Sequence, residues 1–217
     1  MITVKINGEE RQYPQGATYE DVANDYQKEY DNLIALAARD GKIRELFKKL
    51  TRDCEITFFT LKDDVGNKTY VRSATMLFLK AVFDVFGRET VQNCRVEFAI
   101  GNGSYISPKG KINATEENAA KIRNRMRELV EAKTPFLKRS YSLDNAMELF
   151  RREGMKDKEK LFRYRRGSFV NIYEMDGYYD YYYGYMLPNA GYVKWFDVIA
   201  YEDGFMLLLP DKEDPTH

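Results

Sequence analysis

Apolar and polar positions alternate from the first residues. Ile2, Val4 and Ile6 lie on one side of ITVKI, the period of a half-buried strand. Asn7-Gly8 follows, a dipeptide suited to a tight hairpin, and a short strand around Arg11–Tyr13 pairs back. Thr18 can cap a helix whose first turn holds Glu20 and Asp21 and whose apolar side is Val22, Ala23 and Tyr26. Leu33–Ala38 is a strand candidate. Asp40-Gly41 makes a turn into Lys42–Leu46, and Glu55–Leu61 closes the unit as a β-rich run. Strand, hairpin, helix and strands within some sixty residues give a β-grasp pattern.

The polar, turn-rich stretch Lys62–Lys68 marks the boundary, dividing the chain into residues 1–62 and 63–217. Tyr70–Phe86 then repeats apolar residues at helical spacing, with Ala74, Leu77, Phe78, Ala81, Val82 and Val85 inward and Gly87 at the end. Val96–Ile106 reads as two strands joined at Gly101-Asn-Gly103. Thr115 caps a charged helix reaching about Ala132, and Ser142 caps another that Gly154 stops. The remainder is strand-rich: Ser168–Tyr173, Tyr178–Tyr185, Tyr192–Ala200 and Gly204–Leu209. The fold class expected is α+β in two domains.

Composition narrows the chemistry. The 217 residues are 44% hydrophobic and 31% charged, as in a folded domain. Lys+Arg and Asp+Glu both number 34, so there is no basic excess of the kind a dedicated nucleic-acid binder carries. No window of the chain approaches a membrane span, and a cytoplasmic protein with no membrane partner is expected. Cys54 and Cys94 stand far apart and suit a reducing compartment as free thiols. The one histidine is His217, the last residue, expected as a frayed end and not a ligand. Without another imidazole a Ser-His-Asp or Cys-His nucleophile lacks its base, and a His-ligated zinc site lacks its donors. No GxxxxGK[ST] or GxGxxG segment is present.

Two stretches, ITVKINGEERQYPQGATYEDVA and IALAARDGKI…LTRDCEITFFTL, resemble the TGS domain at the N-terminus of threonyl-tRNA synthetases. Residues 69–200 resemble the second additional, editing domain of the same family. Arg72-Ser-Ala-Thr-Met76 falls where that family has two histidines four apart. Gly177-Tyr-Tyr-Asp180-Tyr-Tyr182-Tyr-Gly184-Tyr-Met186-Leu-Pro188 lies on its Asp-x-Cys-x-Gly-x-His-x-Pro segment. The framework residues Asp180, Gly184 and Pro188 remain. The chemical ones are replaced by Arg72, Met76, Tyr182 and Met186. The resemblance thus implies an editing-like domain with a degenerate metal site, and no metal, cofactor or catalytic residue in this chain. It also extends to bacterial uridine-kinase-like nucleoside kinases, which pair a TGS domain with such an altered domain. That implies a kinase domain C-terminal to His217, using ATP and magnesium, for which these residues would serve in regulation, ligand or RNA sensing, or assembly.

Other readings stand beside this one. The chain could be a stand-alone RNA- or tRNA-binding adaptor, or an editing hydrolase working without zinc. Arg72, Met76, Asp180, Tyr182 and Met186 form a candidate vestigial pocket. In it Arg72 either grips a phosphate or carboxylate against a tyrosine wall, or pairs with Asp180 or another carboxylate while Met76 and Met186 fill space. Arg163, Arg165 and Arg166 are candidate RNA contacts, alongside a small regulatory ligand as the other partner class. Lys121, Arg123, Arg125 and Arg127 crowd one helix with Glu116, Glu117, Glu128 and Glu131, as on a charge-paired surface. The tyrosine run is read either as a base-stacking platform or as a strand with tyrosines on both faces.

Overall fold

A computed structural model describes residues 1–163 and 167–214. The chain divides into two compact units. The first comprises residues 1–73 and 184–188 with the described residues from Pro210; the second comprises 74–183 and 189–209.

In the first unit, β1 (Ile2–Ile6), β2 (Glu9–Tyr13), β3 (Ile34–Arg39), β4 (Lys42–Glu45) and β5 (Cys54–Thr60) form a sheet of order β2-β1-β5-β3-β4. β1 and β5 pair in parallel, and the other pairings are antiparallel. α1 (Tyr19–Tyr26) is set by a capping box: Thr18 Oγ1 accepts from the Asp21 amide, and the Asp21 carboxylate accepts from the Thr18 amide at 2.7 Å. β3 does not alternate. Ile34, Ala35, Leu36, Ala37 and Ala38 are all buried, the signature of a strand covered on both faces.

α2 runs from Asp64 to Phe86. The stretch Lys62–Lys68, expected as a polar connection, therefore already contains the first turn of this helix. The Asp63 carboxylate accepts from the Thr60 amide at 2.6 Å, and the Asn67 amide donates to the Asp63 carbonyl at 2.8 Å, so the helix starts at the strand's end. Gly66, which reads as a breaker in the sequence, serves close approach instead: a Cβ there would overlap the Thr60 carbonyl oxygen.

The second unit holds two sheets. β6 (Arg95–Ile100), β7 (Gly103–Ser107), β11 (Asp197–Tyr201) and β12 (Gly204–Leu208) form a sheet of order β11-β12-β7-β6. The Phe78 ring of α2 packs against Phe205 of that sheet, 6.4 Å between centroids. β8 (Leu137–Ser142), β9 (Phe169–Met175) and β10 (Tyr178–Asp180) form the other sheet, order β10-β9-β8. α5 (Leu143–Arg152) and α6 (Lys156–Arg163) join through stacked Phe150 and Phe162, centroids 5.3 Å apart, over Val170 and Ile172. α4 (Glu116–Glu131) is capped by Thr115 as expected and buries Ile122, Met126 and Leu129.

Three elements had no clear signal in the pattern: α3 (Arg88–Asn93), β8 and α6. α3 and α6 each bury one apolar side chain, and β8 is an edge strand with no fully buried position. The long strands expected at Tyr178–Tyr185 and Tyr192–Ala200 are shorter. β10 stops at Asp180, whose carboxylate accepts from the Tyr181 amide at 2.7 Å and turns the chain away from the ladder. Asn189 caps a 3₁₀ turn at Ala190–Tyr192, so β11 begins only at Asp197.

A helical Gly→Ala change ordinarily stabilises by about 0.5–1 kcal/mol. At Gly66 the overlap with main chain outweighs that gain, because overpacking against an immobile atom costs about 1–3 kcal/mol. Gly66→Ala is expected to lower the urea-unfolding free energy by about 1–2 kcal/mol. A stabilised variant would contradict the close approach.

Candidate functional site

The second unit contains a cavity of about 470 Å³, within the range of small-molecule sites. Its walls come from α2 (Thr75, Leu79), from α3 and the start of β6, and from the turn opening α6. Tyr178, Asp180 and Tyr182 lie at its floor.

Asp180 is the electrostatic centre of that floor. Its side chain is 5% exposed. A buried carboxylate needs a cation and donors, and three are present. Lys158 Nζ makes a short ion pair with Oδ1, Tyr178 donates its hydroxyl to Oδ2 at 3.1 Å, and the Tyr181 amide donates to Oδ1. Lys158 reaches in from the first turn of α6 and lies 5.8 Å from the centroid of the Tyr182 ring. Burial pushes the Tyr178 phenol well above its ordinary value, and the neighbouring Asp180 charge adds to this. Tyr182 packs edge-on against Tyr173, centroids 6.5 Å apart. At the rim, Arg95 pairs with Asp157 at 2.5 Å. Cys94 also lines the cavity, but burial pushes its thiol up to about 12, and its Sγ donates to the Thr90 carbonyl. At neutral pH it is a thiol and a poor nucleophile.

The five residues expected as one vestigial pocket fall into both units. Asp180 and Tyr182 line the cavity. Met76 is fully buried in the second unit and does not line it. Arg72 and Met186 belong to the first unit. There the Arg72 guanidinium donates to the Tyr185 carbonyl at 2.7 Å. Gly184 adjoins it with φ of 128°, and a Cβ at that position would sit 2.6 Å from the guanidinium carbon. Met186 is buried, its amide donating to Glu45 Oε1 at 3.1 Å. The Leu187 amide donates to Ser73 Oγ at 3.0 Å, and that hydroxyl also faces the Met186 sulfur at 3.9 Å. Within the second unit, Lys158 is a cation on Asp180. Met76 and Met186 are both fully buried.

The tyrosine run is not one platform. Tyr178 and Tyr179 are in the β10 ladder, Tyr181 packs edge-on against Phe162, and Tyr183 is 86% exposed. Of the candidate RNA contacts, Arg163 is exposed at the end of α6, 3.6 Å from Glu159. Arg165 and Arg166 lie outside the described residues, as does His217. On α4 the expected charge pairing is found: Lys121 with Glu117, Arg123 with Glu116 and Asp197, Arg125 with Asp84 and Glu128. Among the described residues no group of three or more His, Cys, Asp or Glu side chains is placed to hold a metal ion, and no helix is long and apolar enough to cross a membrane.

Sequence reasoning missed Lys158, Lys156, Arg95 and Tyr178 as cavity residues. The available signal was a carboxylate at an expected buried position, which requires a cation from somewhere in the fold. Nothing local identified Lys158 as that cation.

No family model matches the chain. It is similar to N-terminal regions of threonine–tRNA ligases. That of Thermotoga maritima is 29% identical over 204 residues, covering 92% of this chain and 30% of the ligase. Those of Maricaulis maris and Porphyromonas gingivalis are 28% and 24% identical over 193 and 201 residues. The chain spans about a third of the length of each relative.

Several phenols besides Tyr178 are raised. Burial does this foremost at Tyr13, Tyr19, Tyr26 and Tyr179, and the bond to Asp203 raises Tyr105 to about 12. A phenol whose folded value exceeds its unfolded one keeps its proton longer in the folded state. Its contribution is fully present below the unfolded value and is lost as pH rises through the folded value. Urea-unfolding free energy is therefore expected to fall with pH above about 10. Tyr178→Phe makes that decline shallower by up to one proton, about 1.4 kcal/mol per pH unit. A flat alkaline profile would contradict the burial of these phenols.

Proposed function

We propose that this chain is an RNA-binding module whose editing-like frame persists without hydrolytic zinc chemistry. The proposed organisation is a TGS-type β-grasp domain over residues 1–62 followed by an editing-like domain over 63–217. Support for the first domain is the strand order β2-β1-β5-β3-β4, with one helix between β2 and β3 and a parallel β1–β5 pair. Support for the whole is similarity that covers 88–92% of the chain in three threonine–tRNA ligases. tRNA is accordingly the RNA class proposed.

The observation that carries the loss of hydrolysis is the donor set. Asp180, Gly184 and Pro188 are kept, while the positions that would hold zinc or orient water are Arg72, Met76, Tyr182 and Met186. A guanidinium has no free lone pair at neutral pH, and thioethers are poor partners for zinc. These residues do not fit the metal. Lys158 and the Tyr178 hydroxyl are already committed to Asp180. What remains is a partly cationic cavity with no imidazole, thiolate or uncommitted carboxylate at its floor among the described residues. The nucleoside kinase expected C-terminal to residue 217 gains no support from the threonine–tRNA ligase relatives.

The test is tRNA binding by fluorescence anisotropy, with hydrolysis of mischarged tRNA followed in parallel. Binding is expected to weaken as salt rises. The triple change Arg163→Gln, Arg165→Gln and Arg166→Gln is expected to lower the slope of log affinity against log salt by about 2–3. Mischarged tRNA is expected to decay no faster than in buffer. Enzyme-dependent deacylation, or no salt-sensitive binding, would overturn the proposal.

A further inference from the structure

The cavity of the second unit has a charge pattern that RNA binding does not use. Its lining includes three cations, Arg95, Lys156 and Lys158, and two carboxylates, Asp157 and Asp180. Pairing is selective. Arg95 is taken by Asp157 and Lys158 by Asp180. Among the described residues, Lys156 meets no carboxylate within ion-pair distance. It stands at the first residue of α6, where the exposed amides of a helix N-terminus already favour negative charge. Lys156 and Lys158 share that turn with Asp157 and Glu159, but Asp157 is taken by Arg95, and Glu159 by Arg151 and Arg163. One positive charge is therefore left uncancelled at the mouth.

The walls differ in kind. Leu79, Val91, Val96 and Met155 supply apolar surface, and the Tyr178 and Tyr182 rings supply flat faces. A site of this volume with apolar walls and one convergent charge suits a compact ligand with an apolar body and one anionic end. A phosphate monoester brings nearly two negative charges, more than a single uncancelled cation balances. A carboxylate brings one.

We infer that this cavity binds a small organic monocarboxylate with a flat apolar body, its carboxylate at Lys156 and its ring between the aliphatic wall and Tyr182. Binding here would make the second unit ligand-responsive whether or not the chain also binds RNA. The two readings fail separately: loss of tRNA binding leaves this one standing, and the converse holds.

The experiment is saturation-transfer NMR and calorimetric titration of the full 217-residue chain with benzoate, benzamide and AMP. Benzoate is expected to bind in the millimolar range, as its nine heavy atoms allow. Neutral benzamide should bind about fivefold more weakly, and AMP more weakly than benzoate. Lys156→Gln, an exposed position, should weaken benzoate about fivefold and leave benzamide unchanged. Val96→Trp, at the rim, should weaken both several-fold by obstructing the cavity. Equal affinity for benzoate and benzamide would overturn the inference. So would AMP binding more tightly than benzoate, no binding of benzoate, or a benzoate affinity unchanged by Val96→Trp.

Discussion

A carboxylate held at 5% exposure is the constraint on which the second unit depends. An isolated charge in that setting costs several kcal/mol, so the surrounding chain must supply compensation. Asp180 receives it from three directions. Lys158 comes from α6, Tyr178 from two residues earlier in β10, and the Tyr181 amide from the residue that follows. Each contact has a structural consequence. The first draws the opening of α6 over the cavity. The second keeps a phenol protonated beside a charge. The third ends the β10 ladder and breaks the tyrosine run into residues with different environments.

The same network explains why retained framework residues do not retain chemistry. In the resemblance drawn from the sequence, Asp180 stands next to positions for imidazole and thiolate. Here those positions hold Arg72, Met76, Tyr182 and Met186, and each serves packing or local bonding. The Arg72 guanidinium donates to the Tyr185 carbonyl beside Gly184, whose φ of 128° disfavours a side chain. Met76 and Met186 are fully buried. Tyr182 leans on Tyr173. A cavity persists, and its charged groups pair as Arg95 with Asp157 and Lys158 with Asp180, while among the described residues Lys156 meets no carboxylate.

Much of the first unit was legible because its signals are local. Asn7-Gly8, Thr18 with Asp21, and Asp40-Gly41 each fix a turn or a cap within a few residues, and the strands between them fall within one or two positions of expectation. The start of α2 was misread for an equally local reason: Gly66 looks like a breaker and is needed for approach to Thr60. Elements of the second unit with little burial, α6 above all, offer few apolar positions to read. The site was legible only in part. Asp180 could be picked out by its place in a motif, but Lys158 lies 22 residues away and reaches it only through tertiary packing. Arg72 and Tyr185 are 113 residues apart, and no spacing rule joins them.

The most direct test of this account is a double-mutant cycle on the central pair, read by urea unfolding. Lys158→Met strands a buried carboxylate and is expected to cost about 2–4 kcal/mol, discounted because Lys158 is 28% exposed. Adding Asp180→Asn removes the stranded charge, so the double variant should recover more than about 1 kcal/mol relative to additivity. Additive losses would show that Asp180 does not depend on Lys158, and would contradict the arrangement on which the cavity rests.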